Sequence, residues 1–254
     1  MRVRRWLYSY LGAIVILLLL WILTSLILGI ILPGPRARAL PNPVVAFKAL
    51  YASWGVLGQD LLVSGLRVIL GLLLAIAVAA PLGLVIGHEE ALDRVFAPII
   101  YITYPIPKIV FLPLLFVLFG LGNLPVILLI ALIVAFQTLL AARDAARNVP
   151  HDYILSVKSA GANRWQVYRH VIIPASLPAV LTSVRISIGI SIAALYLAEI
   201  AGVSSGLGYF LHISRVRFRY DEMFAGIMVM GLLGFLLYLL LDLLERSLCR
   251  WKYL

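Results

Sequence analysis

The residues that chemistry would need are few and scattered. His88, His151, His170 and His212 share no helix-ligand spacing with one another or with a carboxylate, so they predict no metal site. Cys249 is the single cysteine, which excludes an internal disulfide and a cysteine metal cluster. No Walker-type phosphate loop is present, so the chain is not expected to hydrolyse ATP. No nucleophile–base pairing points to catalysis, and Met223, Met228 and Met230 are expected to pack. The groups worth following are charges set in apolar runs: Arg67, Lys108, Arg185 and Glu199. Such a charge is costly unless it meets a partner or water. Snorkelling accounts for Arg67 and Arg185. Glu199 predicts either an ion pair or hydrogen bond to residues 203–209, or a gate. Ser204-Ser205-Gly206 offers hydroxyls and amides to an anion, or simply turns the chain. Lys108 follows Pro107 and is the best single candidate for attracting an anionic solute; a lysine at a late-starting helix is the alternative.

The elements that would position these groups are apolar spans. Of 254 residues, 63% are hydrophobic and 13% are charged. That charge share is about half the usual one in soluble domains. Only lipid can serve as solvent for so much apolar surface, and the reading is an all-α membrane protein. About six transmembrane helices are expected, over roughly 11–32, 61–87, 95–120, 123–142, 176–200 and 223–245. The basic N-terminus, Met1 to Arg5, precedes a run too long for a signal peptide and is expected to lead into a retained span.

The net charge of +10 reflects topology and anionic lipid rather than nucleic acid. Segments 1–10, 88–94, 143–175 and 246–254 carry twelve Lys or Arg against six in the alternate segments, which places both termini in the cytoplasm. The cluster Arg215, Arg217 and Arg219 runs against that bias.

The third span is interrupted by Pro98, Pro105, Pro107 and Pro113. Each removes a helix hydrogen bond. Two outcomes fit: a helix that starts near Lys108 after a surface-lying lead-in, or a broken helix beside a solute path.

Segment 143–175 is patterned more strongly than a plain loop requires. Pro150 suits a helix start, and Ile154, Val157 and Gly161 fall on one face. Gly161 suits a C-cap. Asn163 and Gln166 have capping-box spacing, Trp165, Tyr168 and Ile172 form a second apolar face, and Pro174 is expected to end that helix. A helix–glycine turn–helix outside the bilayer either lies on the membrane surface or docks a protein.

Gly161, nine residues, then Val171-Ile172-Ile173-Pro174 resembles the signature loop of bacterial ABC-importer permeases, with Leu155-Ser156-Val157 standing where the family has Glu-Ala-Ala. The block Ala198-Glu199-Ile200-Ala201-Gly202-Val203-Ser204-Ser205-Gly206-Leu207-Gly208-Tyr209 is similar to the nitrate/sulfonate/taurine branch. Leu40 to Pro43, Pro81 to Gly87, Phe119 to Gly122, and Pro178 to Gly189 also fit, so the resemblance covers about residues 40–245.

The resemblance implies a type I ABC importer permease fold. It implies a homodimer in a bacterial or archaeal inner membrane, served by cytoplasmic ABC ATPase subunits and an extracytoplasmic substrate-binding protein. ATP and Mg would bind the ATPase and no cofactor this chain. Lys158, Ser159, Ala160, Gly161, Ala162, Asn163, Arg164 and Trp165 would form the ATPase-coupling turn. Lys108, Arg185, Glu199, Ser204 and Ser205 are the candidates for the solute path or its gate. The implied division is an N-terminal span and external lead-in over 1–60, a permease core over 61–245, and a cytoplasmic tail over 246–254. An ion-gradient-driven carrier or channel is the rival reading, and an intramembrane enzyme a weaker one.

Overall fold

The computed structural model describes residues 2–31 and 39–252, and all regular structure among them is helical. Side chains at the start of the first helix, and Arg36 and Arg38, lie outside the described residues. In chain order the helices are α1 (Arg2–Ile31), α2 (Pro43–Ala52), α3 (Trp54–His88), α4 (Glu90–Thr103), α5 (Leu112–Phe119, entered through a 3-10 turn at Lys108–Phe111), α6 (Asn123–Arg147), α7 (His151–Ser159), α8 (Arg164–Val167), α9 (Ile173–Gly202), α10 (Leu207–Val216) and α11 (Tyr220–Leu248).

Four helical runs are long and apolar enough to cross a membrane: Trp54–His88, Asn123–Arg147, Arg164–Gly202 and Tyr220–Leu248. A fifth crossing exists only if Glu90–Thr103 and Lys108–Phe119 count as one span, and these two are bent by 83°. The expected six spans are therefore corrected to four, or five with the bent pair. Two physical causes account for the difference. Pro105 and Pro107 break the third span where a continuous ladder would need their missing amides. The first span falls on α1, whose described apolar stretch, Val15–Ile31, is at the short limit of what crosses a bilayer.

The bundle is built around α3 and α6. Gly71, Ala75, Ala79, Gly83 and Gly87 recur every fourth residue on α3 and form a smooth stripe. In lipid, where apolar burial drives nothing, small residues let backbones approach and gain dispersion contact. The approach is close here. A Cβ on Gly83 would stand 2.5 Å from the Leu139 carbonyl oxygen, and one on Gly87 would overlap the Arg143 carbonyl. Leu72, Val126, Ile130, Val184, Leu195, Leu207, Val229 and Leu237 continue the core across α3, α6, α9, α10 and α11. Apolar residues also face outward, among them Leu66, Leu73, Val117, Ile186, Phe235 and Leu243. A surface of that kind fits lipid as its solvent.

A second, smaller core occupies one end of the bundle, where Leu84, Ala142 and Ala146 meet Ile154, Val167, Val171, Ile172 and Val180. It fastens segment 148–172 to the C-terminal ends of α3 and α6 and the N-terminal end of α9. Pro174 does not end a helix, contrary to the sequence expectation. The backbone passes through a π-helical turn at Tyr168–Ile172 and continues as α9, with Pro174 in its first turn. The run Arg164–Gly202 is thus continuous over 39 residues, with the irregular π turn placed just ahead of the proline. The other end of the bundle holds the α5–α6 and α9–α10 connections.

Candidate functional site

The turn between α7 and α8 folds by local rules. Gly161 has φ +83, a left-handed conformation that a side chain resists. Its amide donates to the Lys158 carbonyl at 2.9 Å and the Ala162 amide to the Val157 carbonyl at 3.1 Å, the two bonds of a Schellman cap. The capping box is complete: Gln166 N donates to Asn163 Oδ1 at 2.9 Å and Asn163 N to Gln166 Oε1 at 2.8 Å. Lys158, Ser159, Ala160, Gly161, Asn163, Arg164 and Trp165 are exposed and Ala162 half-buried. A Cβ at Gly161 would meet nothing. Of the expected apolar faces, Ile154 and Ile172 are buried and Val157 and Tyr168 half-buried, whereas Trp165 points outward; Val167 and Val171 fill the packed positions.

One link ties this turn to the rest of the bundle and was not foreseen. Arg164 Nη2 lies 2.7 Å from Glu89 Oε1, and the Tyr168 hydroxyl donates to the same oxygen at 3.0 Å. Tyr168 also meets His88 edge-on at 5.1 Å. Glu89 stands between α3 and α4, so the turn reports to that junction. The Arg164 hydrogen bond, aided by Tyr168, holds the Glu89 carboxyl below the usual carboxylate range.

At the opposite end, Arg67 of α3 and Glu199 of α9 form a buried pair at 2.5 Å. Arg67 is 2% exposed, so it does not snorkel as its sequence position suggested. Its Nη2 donates to Asn123 Oδ1 at 2.6 Å and to Ser205 Oγ at 3.1 Å, and Nη1 donates to the Ser205 carbonyl at 2.8 Å. Glu199 accepts from the Ser64 hydroxyl at 2.7 Å and from the Gly208 amide at 2.7 Å. Asp60 accepts from the Gly206 amide at 2.7 Å. Loop 203–206 is thereby held by α3, α6 and α9 together. Gly206, at φ +107, leaves the space that the Arg67 and Glu199 side-chain ends fill. Arg67, Asn123, Ser204 and Ser205 line a cavity of about 550 Å³ that opens at this end.

Lys108 sits in the helix break. Its Nζ donates to the carbonyls of Thr103, Tyr104 and Ile106 at 2.7, 3.1 and 2.8 Å and lies 4.0 Å from the centre of the Phe136 ring. Of those carbonyls only that of Thr103 would, in a continuous helix, need the amide that Pro107 lacks; it accepts from Ile106 N at 3.3 Å, and the ammonium caps all three across the break. A cavity of about 380 Å³ opens beside it, lined by Lys108, Phe136, Gln137 and residues 190–197 of α9. Arg185 does not snorkel either. It pairs with the buried Glu245 and lies 3.6 Å from Asp242, joining α9 to α11. Arg143, Arg147 and Asp93 form a further cluster, with Arg143 Nε 2.5 Å and Arg147 Nη1 2.8 Å from the Asp93 carboxylate. Among the described residues no group of His, Cys, Asp or Glu has the makings of a metal site.

Comparison with known proteins gives consistent matches. The family described as "Binding-protein-dependent transport system inner membrane component" matches residues 68–250. The chain is 32% identical over 243 residues to the taurine transport system permease protein TauC of Escherichia coli K12, covering 94% of this chain and 88% of TauC. It is 32% identical over 220 residues to the putative aliphatic sulfonates transport permease protein SsuC of Bacillus subtilis 168, covering 85% and 79%. The fold is similar to that of a chain in an inward-facing MetNI methionine ABC transporter structure, with TM-score 0.66 and 18% identity over 78% of this chain and 98% of the other.

Proposed function

We propose that the Gly161 turn is where a separate ATPase engages this chain, on the premise that the chain belongs to the family of binding-protein-dependent transport system inner membrane components. As such it is the membrane permease subunit of an ABC-type importer for a small solute and couples to a cytoplasmic ATPase. Permeases of this family are not catalytic; hydrolysis belongs to the ATPase.

The observation that carries the reading is the contrast within segment 148–172. Its flanks and Ala162 are anchored in or against their own apolar core, while Lys158 to Gly161, Asn163 and Trp165 are exposed with nothing packed on Gly161. A turn without a side chain at its tip suits a narrow cleft in a partner. Lys158, Ser159, Ala160, Gly161, Ala162, Asn163, Arg164 and Trp165 are the residues assigned to that contact. The remaining parts of the reading follow from the family: two copies of this chain, an ATPase on each holding ATP and Mg, and an extracytoplasmic binding protein at the end bearing loop 203–206. The membrane is a bacterial or archaeal inner membrane with both termini cytoplasmic. The core spans 61–245.

The solute is proposed to be small and anionic, of sulfonate character, as the names of the taurine and sulfonate relatives suggest. Its path runs past the cavity beside Lys108. Glu199, Ser204 and Ser205, locked through Arg67, form the gate at the outer end, and Arg185 braces the path wall near the inner end. The test is to purify the chain with and without its cognate ABC ATPase and to reconstitute each into vesicles. Uptake is expected only with ATPase, ATP and binding protein. Transport by the chain alone, driven by an ion gradient, would overturn the proposal in favour of a secondary carrier.

A further inference from the structure

Another cavity lies at the end that carries the Gly161 turn and shares Arg147 and Asp93 with the cluster described above and Lys158 with the turn. It measures about 820 Å³ and lies between the polar side of α4, the end of α6 and α7. Arg94, Arg147, His151 and Lys158 line it, with the carboxylates of Glu90 and Asp93. Asp93 is engaged by Arg143 and Arg147. Arg94, Lys158 and His151 are exposed and have no ion-pair partner among the described residues. The cavity therefore presents cations in excess of its one uncommitted carboxylate, Glu90.

The helix that forms its wall is amphipathic. On α4, Leu92, Val95, Phe96, Ile99 and Ile102 recur at helical spacing and are all exposed, while Glu90, Asp93, Arg94 and Ala97 occupy the opposite side and face the cavity. The line of α4 is bent by 83° from Lys108–Phe119. A helix with one apolar side and one charged side suits the interface, with its axis at headgroup depth. Lipid phosphates stand at that depth.

We propose that this cavity binds the phosphate of an anionic phospholipid of the inner leaflet, held by Arg94, Arg147 and Lys158, with the acyl chains lying against the apolar stripe of α4. The assignment rests on the cytoplasmic placement of this end. Basic pockets between transmembrane helices on that side suit such headgroups. Because Lys158 belongs to α7 and Arg94 to α4, one bound lipid would bridge the Gly161 turn and the α3–α4 junction.

The experiment is native mass spectrometry of the full-length chain in detergent, titrated separately with dioleoyl phosphatidylglycerol, dioleoyl phosphatidylcholine and inorganic phosphate. Phosphatidylglycerol is expected to be retained over phosphatidylcholine, and Arg94→Glu to lower that retention by more than the ~fivefold that removing one basic residue near an anionic surface produces. Arg94→Lys should keep it. Thermal melting of each variant checks folding; should Arg94→Glu melt early, Arg94→Gln serves in its place. Equal retention of the two lipids, or unchanged retention in the Arg94 variant, overturns the site. Displacement of the lipid by millimolar inorganic phosphate would also overturn it, assigning the cavity to a free anion. Retention fails independently of ATPase co-purification, so the loss of this site leaves the permease reading standing, and the reverse outcome is equally visible.

Discussion

Arg67 on α3 and Glu199 on α9, separated by 132 residues in sequence, meet at 2.5 Å with both side chains buried. Their remaining hydrogen-bonding capacity is taken up by Ser64, Asn123, Ser205 and Gly208. Truncating one member strands the other charge. Glu199→Ala is expected to cost about 3–5 kcal/mol, and Arg67→Met a similar amount. The double variant should lose much less than the sum. Chemical denaturation of all three in one detergent measures this coupling, and additive losses would mean that the pair does not act as a unit.

Gly161 stands at φ +83 with open space around it. Gly161→Val should insert and fold, since the strain of about 1–3 kcal/mol is confined to the turn. ATP-driven uptake should nevertheless collapse. Gly161→Asn, which tolerates the left-handed region but carries a side chain into the cleft, should fold without that strain and still lose uptake. Wild-type uptake by the Val variant, assayed in proteoliposomes with the ATPase and binding protein, would remove this turn from coupling.

Two glycines on α3 should respond to alanine with opposite signs. At Gly87 a Cβ would collide with the Arg143 backbone, so Gly87→Ala is expected to lose about 1–3 kcal/mol by overpacking. At Gly58 a Cβ would meet nothing, and Gly58→Ala should gain a few tenths to about 1 kcal/mol from chain entropy. Melting temperatures of the two proteins, side by side, test the α3–α6 contact.

Lys108→Met would leave the carbonyls of Thr103, Tyr104 and Ile106 without their ammonium donor. A loss of about 2 kcal/mol is expected, together with slower uptake. If Lys108 also attracts the solute, the concentration for half-maximal uptake rises as well. A change in stability alone would confine Lys108 to the helix break.

The Glu89–Arg164 bridge predicts a pH response. Because the Glu89 carboxyl is held below its ordinary value of 4.5, chiefly by the Arg164 hydrogen bond, the bridge contributes fully above that value and is lost as pH falls through the lowered one. Amide exchange in residues 163–168, corrected for intrinsic rate, should therefore be flat from pH 7 to pH 5. Arg164→Gln should raise it at every pH in that range. Its effect on global stability should be small, because Arg164 is exposed to solvent. A pH-dependent step between 5 and 7 in the wild type would assign the contact to another titrating group.

The parts of this fold that were legible in sequence are those decided within a few residues. Gly161, Asn163 and Gln166 announce their turn because a left-handed cap and a capping box close over three or four positions. The long apolar runs announce α3, α6, α9 and α11 because lipid demands length. Glu199 was legible as an ion pair or hydrogen bond to residues 203–209, or a gate, but its partner Arg67 was legible only as an unexplained charge. Nothing local tells one charge in a span where its partner is, and snorkelling was the simpler account. Arg185 misled in the same way, its partners lying on α11. Pro174 was misread because a proline's effect depends on whether it falls in a first turn or an interior, which the π turn before it decided. Glu89 carried no signal at all, since its role exists only once α8 folds back to meet it.

The uninterrupted run Arg164–Gly202 has a geometric consequence. At about 1.5 Å per residue it is a rod nearly 60 Å long, about twice the thickness of the hydrocarbon layer. One tip lies three residues from Gly161, and the other lies three residues beyond Glu199. A rotation of about 5° about one tip would sweep the other through about 5 Å, the rise of one helical turn. Moving the end that bears Glu199 by that distance thus asks for a few degrees of tilt rather than any refolding.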